Sequence, residues 1–332
     1  YALAKLRTPF LDTVLGALTN CGGEIVFMAV AIIVFWCVSK SCGYYMLTVG
    51  FVGTIVNQFL KLVFRIPRPW VKDPNFQIVE SARAEATGYS FPSGHTQNVF
   101  ASFGCLGRWT KRTWLRVVCA AVIVLTAFSR MYLGVHTPLD VGVSFGLGLV
   151  LVFALYPLFR DIDSHPNRLY WLFGVMAVLG LAYLLFAELW PFPADVDAAN
   201  LASGRKNAYT LLGAVLGMTF SYWLDRRYVH FDVRAVWWAQ VLKVLGGAAL
   251  LLAVKQGLKL LFAAVGFTWI GTHAIRYFFV VLLAARDYDP SHINRYLTAL
   301  AAAFHKFYAA CRIKGEEEPV LLARLKLADT TR

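Results

Sequence analysis

The chain has 332 residues, of which 58% are hydrophobic and only 15% charged, and its mean hydropathy is +0.58. Soluble domains carry about 25% charged residues, so composition excludes disorder, collagen-like repeats, nucleic-acid modules and an ordinary soluble core, leaving a polytopic membrane protein. The formal net charge of +13 is large for a chain with so few charges.

Residues 3–20 are only moderately apolar and contain Pro9 and Asp12. They read as an interfacial amphipathic helix within a leading segment, 1–23. A membrane-crossing helix needs about 20 mainly apolar residues. Such runs recur at 24–38, 43–64, 92–107, 114–133, 138–158, 168–190, 207–223, 236–256 and 267–285. The expected fold is therefore all-α, a bundle of about nine transmembrane helices. Two polar loops interrupt it. The loop 65–91 contains Pro67, Pro69 and Pro74, and 191–206 opens with Pro191 and Pro193. From 286 onward the chain is charged and reads as a solvated cytoplasmic tail that includes Glu316, Glu317 and Glu318. The cysteines Cys21, Cys37, Cys42, Cys105, Cys119 and Cys311 form no CxxC pair and read as small buried hydrophobes.

Nine spans place the chain's ends on opposite faces. Basic clusters at Arg108, Lys111, Arg112 and Arg116, at Arg226, Arg227 and Arg234, and in the tail mark one face as cytoplasmic by the positive-inside rule. The opposite face carries 65–91, 134–137 and 191–206. Three short segments fall there. Lys61 is followed after six residues by Arg68–Pro69. Pro92–Ser93–Gly94–His95 opens the third span. Ser129–Arg130, His136 and Asp140 bridge the fourth and fifth.

Read as KX6RP, PSGH and SRX5HX3D, in that order, these segments resemble the signature of the type 2 phosphatidic acid phosphatase (PAP2) superfamily, with every motif position matched. The motifs cover 61–140, and the resemblance implies a phosphatase core over 24–167, with additional helices over 168–285. It also implies a phosphohistidine intermediate and no metal or other cofactor. The likeness extends to the nine-span layout of glucose-6-phosphatase, although Asp140 departs from that enzyme's usual pattern.

The residue types fit that chemistry on their own terms. Charges at a membrane edge are costly and default to function. Lys61, Arg68 and Arg130 are expected to converge on a phosphate, guanidinium forks by bidentate contacts and the ammonium as a point charge. Ser93 reads as a helix N-cap, leaving Gly94 and the next N–H groups to face an anion. Asp140 is the only acidic residue between Glu85 and Asp161. Its expected role is to fix the tautomer of His136, the nucleophile. His95 is expected to protonate the leaving oxygen and then activate water. Glu80, Glu85, Arg65 and Lys72 read as loop-surface charges, and His273 and Arg276 as substrate contacts or interhelical groups.

The expectation is a metal-independent phosphatase of the bacterial plasma membrane, its site on the extracytoplasmic side. Its partners would be membrane lipids and a phosphorylated lipid: phosphatidic acid, phosphatidylglycerol phosphate, a sphingoid-base phosphate or an isoprenyl diphosphate. No nucleic-acid partner is expected. A glucose-6-phosphatase-like hydrolase of a soluble phosphate stays open, as does a non-catalytic transporter or scaffold.

Overall fold

A computed structural model describes residues 2–229 and 233–284. The predicted tail and part of the loop at 224–235 lie outside the described residues. The described chain is helical. After a short turn of helix at Ala2–Leu6 come α1 (Pro9–Thr19), α2 (Glu24–Cys37) and α3 (Lys40–Phe64). Thr8 caps α1 by accepting from the Leu11 amide, and Ser39 caps α3 by accepting from that of Cys42. The α3 helix stops at Arg65, which adopts a left-handed φ of 49°, and Pro67 then prevents its resumption. A single turn, α4 (Pro69–Lys72), leads into the long loop.

The third apolar run is not one regular helix. It consists of α5 (Gly94–Val99), a π-helical segment (Phe100–Gly104) and α6 (Cys105–Trp109). Then follow α7 (Thr113–Tyr132), α8 (Pro138–Phe159), α9 (Arg168–Leu189), α10 (Ala198–Leu224), α11 (Trp237–Ala264) and α12 (Thr272–Ala284).

Five helices are long and apolar enough to cross a membrane: α3 with its continuation to Lys72, α7, α8, α9 and α11. The pair α1–α2, bent by 51°, would make a sixth if it acts as one span. The other expected spans are short, interrupted or more polar. The α2 helix has 14 residues and α12 has 13. The run 92–107 is broken by the π segment, and α10 carries Arg205 and Lys206 in its first half. The chain is thus an all-helical integral membrane protein with five or six full-length candidate spans among the described residues.

Among the described residues, those up to 234 together with 244–284 form one compact unit, which holds every candidate site residue, and Ala235–Lys243 belong to a second. Within the first unit α3 is central, touching α2, α5, α8, α9 and α10. The α10 and α12 helices approach closely because Gly213 has no side chain: a Cβ there would lie 2.1 Å from the carbonyl oxygen of Ala274. Large apolar side chains such as Val117, Val150, Val178 and Leu252 point outward, as expected of helices in lipid. Cys42, Cys105 and Cys119 are buried free thiols, as read from the sequence, whereas Cys21 and Cys37 are only half-buried and Cys311 lies outside the described residues.

One small core holds the long loop against the bundle end. Leu15 of α1, Ala82 and Ala86 of the loop, and Tyr132, Leu133 and Val135 after α7 pack together, with Trp70 and Val79 against them. Arg7 ties this end by donating to the carbonyls of Tyr132 and Gln77. The α1 segment is therefore part of the wall around the motif residues.

Candidate active site

The three motifs meet where α3 and α7 end and α5 and α8 begin. The α8 helix is capped by Thr137, whose Oγ1 accepts from the Asp140 amide, while the Asp140 carboxylate accepts from the Thr137 amide at 2.8 Å. That reciprocal cap fixes Asp140 one turn from His136. The Oδ2 atom of Asp140 also accepts from Ser90 Oγ at 2.6 Å and lies 3.5 Å from Nδ1 of His136, at the long limit of a hydrogen bond. The other ring nitrogen, Nε2, lies 3.0 Å from Nη1 of Arg68. A guanidinium can only donate, so Nε2 is the acceptor and Nδ1 carries the proton, directed to Asp140. Both His136 and Asp140 are buried.

His136 lies in the connection between α7 and α8. Burial holds its imidazole well below the ordinary value; Asp140 pulls upward, and the charges of Arg68, Arg130 and Lys61 push it down again. The lone pair on Nε2 therefore stays available at pH values where a free imidazole is protonated.

The three predicted cations converge but are not equivalent. Lys61 donates to the carbonyl of Tyr89. Arg68 clasps the loops, with Nε on the Gly88 carbonyl, Nη2 on that of Thr87 and Nη1 on that of Val135. Arg130 is fully buried and makes one side-chain bond, from Nη1 to Thr19 Oγ1 at 2.8 Å; its Nε and Nη2 have no partner among the described residues. A buried unpaired donor costs roughly 1–3 kcal/mol, and more when charged, and these N–H groups are free to donate to an anion.

Ser93 caps α5, accepting from the Thr96 amide, and its own amide donates to the Asp140 carbonyl at 3.1 Å. A Cβ at Gly94 would meet nothing within 4 Å, so the start of this helix is open to an approaching group. His95 follows, and its carbonyl sits so near Gly22 that a Cβ there would lie 2.5 Å from it. All eight predicted site residues are therefore at one end of the bundle. Sequence reasoning missed three partners. Glu85, read as a loop-surface charge, places Oε2 3.1 Å from Nε2 of His95. Ser90 and Thr19 anchor Asp140 and Arg130, 50 and 111 residues away in sequence.

Arg83 pairs with Glu80 on the exposed loop, and Arg276 contacts His273 at 2.7 Å within α12. Among the described residues no three His, Cys, Asp or Glu side chains gather as a metal-binding group.

Residues 39–163 match the PAP2 superfamily, and 209–286 match the PAP2 superfamily phosphatase transmembrane extension. The chain is 27% identical over 245 residues to a probable sphingosine-1-phosphate phosphatase of Dictyostelium discoideum, covering 68% of this chain and 57% of that protein. It is 34% identical over 114 residues to undecaprenyl-diphosphatase BcrC of Bacillus subtilis, covering 34% and 55%. Residues 271–332 match the DALR anticodon binding domain, and a 52-residue stretch is 46% identical to the arginine–tRNA ligase of Acetivibrio thermocellus, 16% of this chain and 9% of that protein. The chain thus spans between 9% and 57% of the length of these relatives. No solved structure matches it.

Proposed function

We propose that this chain, with its PAP2-superfamily segment at 39–163 and that superfamily's transmembrane extension at 209–286, is a membrane-embedded phosphatase acting on a lipid phosphate. The observation that carries this reading is the buried Arg130 guanidinium with two unpaired nitrogens, at the same end of the bundle as the acceptor nitrogen of His136. Arg130, with Lys61 and Arg68 around it, receives the phosphoryl oxygens, and the open backbone at Gly94 adds its N–H. Nε2 of His136 attacks phosphorus, the bond to the lipid oxygen breaks, and His95 supplies the proton that this oxygen takes. His95 then removes a proton from water, which attacks the phosphohistidine and releases inorganic phosphate. Asp140 holds the Nδ1 proton of His136 throughout, and Glu85 orients the ring of His95.

The membrane location supports a substrate whose tail stays in lipid while its phosphate reaches the site, and the extracytoplasmic face remains our assignment from the charge distribution. A panel of lipid phosphates, isoprenyl diphosphates and glucose 6-phosphate, assayed with purified protein in detergent micelles, tests it. Phosphate should be released from a lipid and the reaction inhibited by vanadate; release from glucose 6-phosphate alone, or insensitivity to vanadate, contradicts the reading.

A second reading concerns the tail alone. Its likeness to arginine–tRNA ligases favours an RNA-contacting appendage, with eight basic residues in 286–332. The full chain should bind tRNA in a salt-dependent manner and a chain ending at residue 285 should not; equal binding by both removes this reading.

A further inference from the structure

A group of polar side chains beside the reacting end is used by none of the steps above. Asn57 on α3 and Gln97 on α5 are each 1% exposed, and neither atom of either carboxamide has a hydrogen-bond partner. Both line a cavity of about 140 Å³ walled by α2, α3, α5 and α10. Glu24, Thr54, Gln58, Asn98, Asn207 and Thr210 complete its polar lining, and Gly94 belongs to it as well. That glycine sets the cavity beside the phosphoryl site, since His95 is the next residue and Ser93, the one before, donates its amide to the Asp140 carbonyl.

Polar groups left unpaired inside a membrane bundle are expensive and tend to be functional. Asn57 and Gln97 face the same space without bonding each other, so a structural interhelical pair does not explain them. A carboxamide both donates and accepts, and the ligand that satisfies two of them must do the same. Charge narrows the choice. The one charged residue lining the cavity is Glu24, whereas Lys61, Arg68 and Arg130 are all on the phosphoryl side. The cavity therefore repels a phosphate and suits hydroxyl and ammonium groups attached next to one.

We propose that this cavity is the subsite for the hydroxyl- and amine-bearing part of the substrate, so that the enzyme prefers phosphate monoesters of amino-alcohol lipids to phosphates carried on bare hydrocarbon, isoprenyl diphosphates included. The proposal rests on the phosphatase reading and specifies its substrate class. A site built to hydrogen-bond a substrate hydroxyl or amine rejects the analogue that lacks it, because its own buried groups are then left unpaired.

The test uses the purified full chain and two lipids of equal chain length, sphinganine 1-phosphate and octadecyl phosphate, which differ in the amine and hydroxyl beside the phosphate. Wild-type protein should show kcat/KM about 10- to 100-fold higher on the amino-alcohol lipid. Asn57→Leu and Gln97→Met should each bring that ratio towards one. Equal turnover of the two lipids by wild-type protein overturns the subsite, whether or not the variants fold. A ratio unchanged in both folded variants overturns the assignment to Asn57 and Gln97. Failure to release phosphate from any lipid would instead contradict the underlying phosphatase reading.

Discussion

Replacing His136 with alanine is expected to reduce phosphate release by at least about 10⁴-fold, because removing the nucleophile of a covalent mechanism leaves only the binding and electrostatic contributions. Three features make this side chain the attacking group. Its Nε2 is an acceptor held against Arg68, its Nδ1 points to a carboxylate, and burial with neighbouring cations keeps the ring unprotonated. The substitution should be tolerated structurally. Arg68 keeps its bonds to the carbonyls of Gly88, Thr87 and Val135, and Asp140 keeps those from Ser90 and Thr137. Turnover assayed beside a thermal melt separates the cases: a well-folded His136→Ala protein with activity within about tenfold of wild type would defeat the nucleophile assignment.

The second large effect is expected from Asp140→Asn. The carboxylate oxygen Oδ2 serves Ser90, Thr137 and His136 at once, accepting from the first two and lying 3.5 Å from Nδ1 of the third. An asparagine has one oxygen and one NH2 group. If the oxygen keeps Ser90 and Thr137, the imidazole either loses its Nδ1 contact or turns its proton to Nε2, where it blocks attack. The corresponding change in serine-protease triads lowers kcat by about 10⁴-fold, and a loss on the order of 10³- to 10⁴-fold is expected here. The helix cap is largely retained, so stability should fall by no more than about 1 kcal/mol. A loss of activity that merely tracks unfolding would make Asp140 a structural residue.

Much of the site was legible in the sequence because its spacing encodes local geometry. Thr137–Pro138 before an apolar run announces a helix start, and this puts Asp140 a turn from His136 without further information. Ser93 before Gly94 does the same for α5. The finer distinctions depend on distant parts of the chain. Nothing near Arg130 says that Thr19 takes one of its nitrogens and leaves two free. Nothing near Lys61 or Arg68 says that loop carbonyls engage them. Glu85 looked like a surface charge because its loop is polar, yet packing of Ala82 and Ala86 against Leu133 and Val135 turns it towards His95.

The fold shows the same division. An all-helical membrane bundle follows from hydropathy, because the bilayer requires long apolar helices. The number of full-length spans does not, since hydropathy is blind to backbone irregularity. The run 92–107 has the composition of a span, but it changes from α- to π-helix at Phe100 and back at Cys105. Asn57 and Gln97 were hidden for a related reason: amides on separate helices are unremarkable until packing turns them into one cavity.

The central claim is that this chain's own histidines and cations, without a metal ion, transfer the phosphoryl group of a lipid. It is tested most directly by phosphate release from a lipid phosphate by the purified full-length chain in excess EDTA, with His136→Ala as the blank. Release at the same rate with and without the chelator, and none from the variant, is the expected result. Release that disappears in EDTA and returns only with a divalent cation, or that survives in the variant, would contradict it.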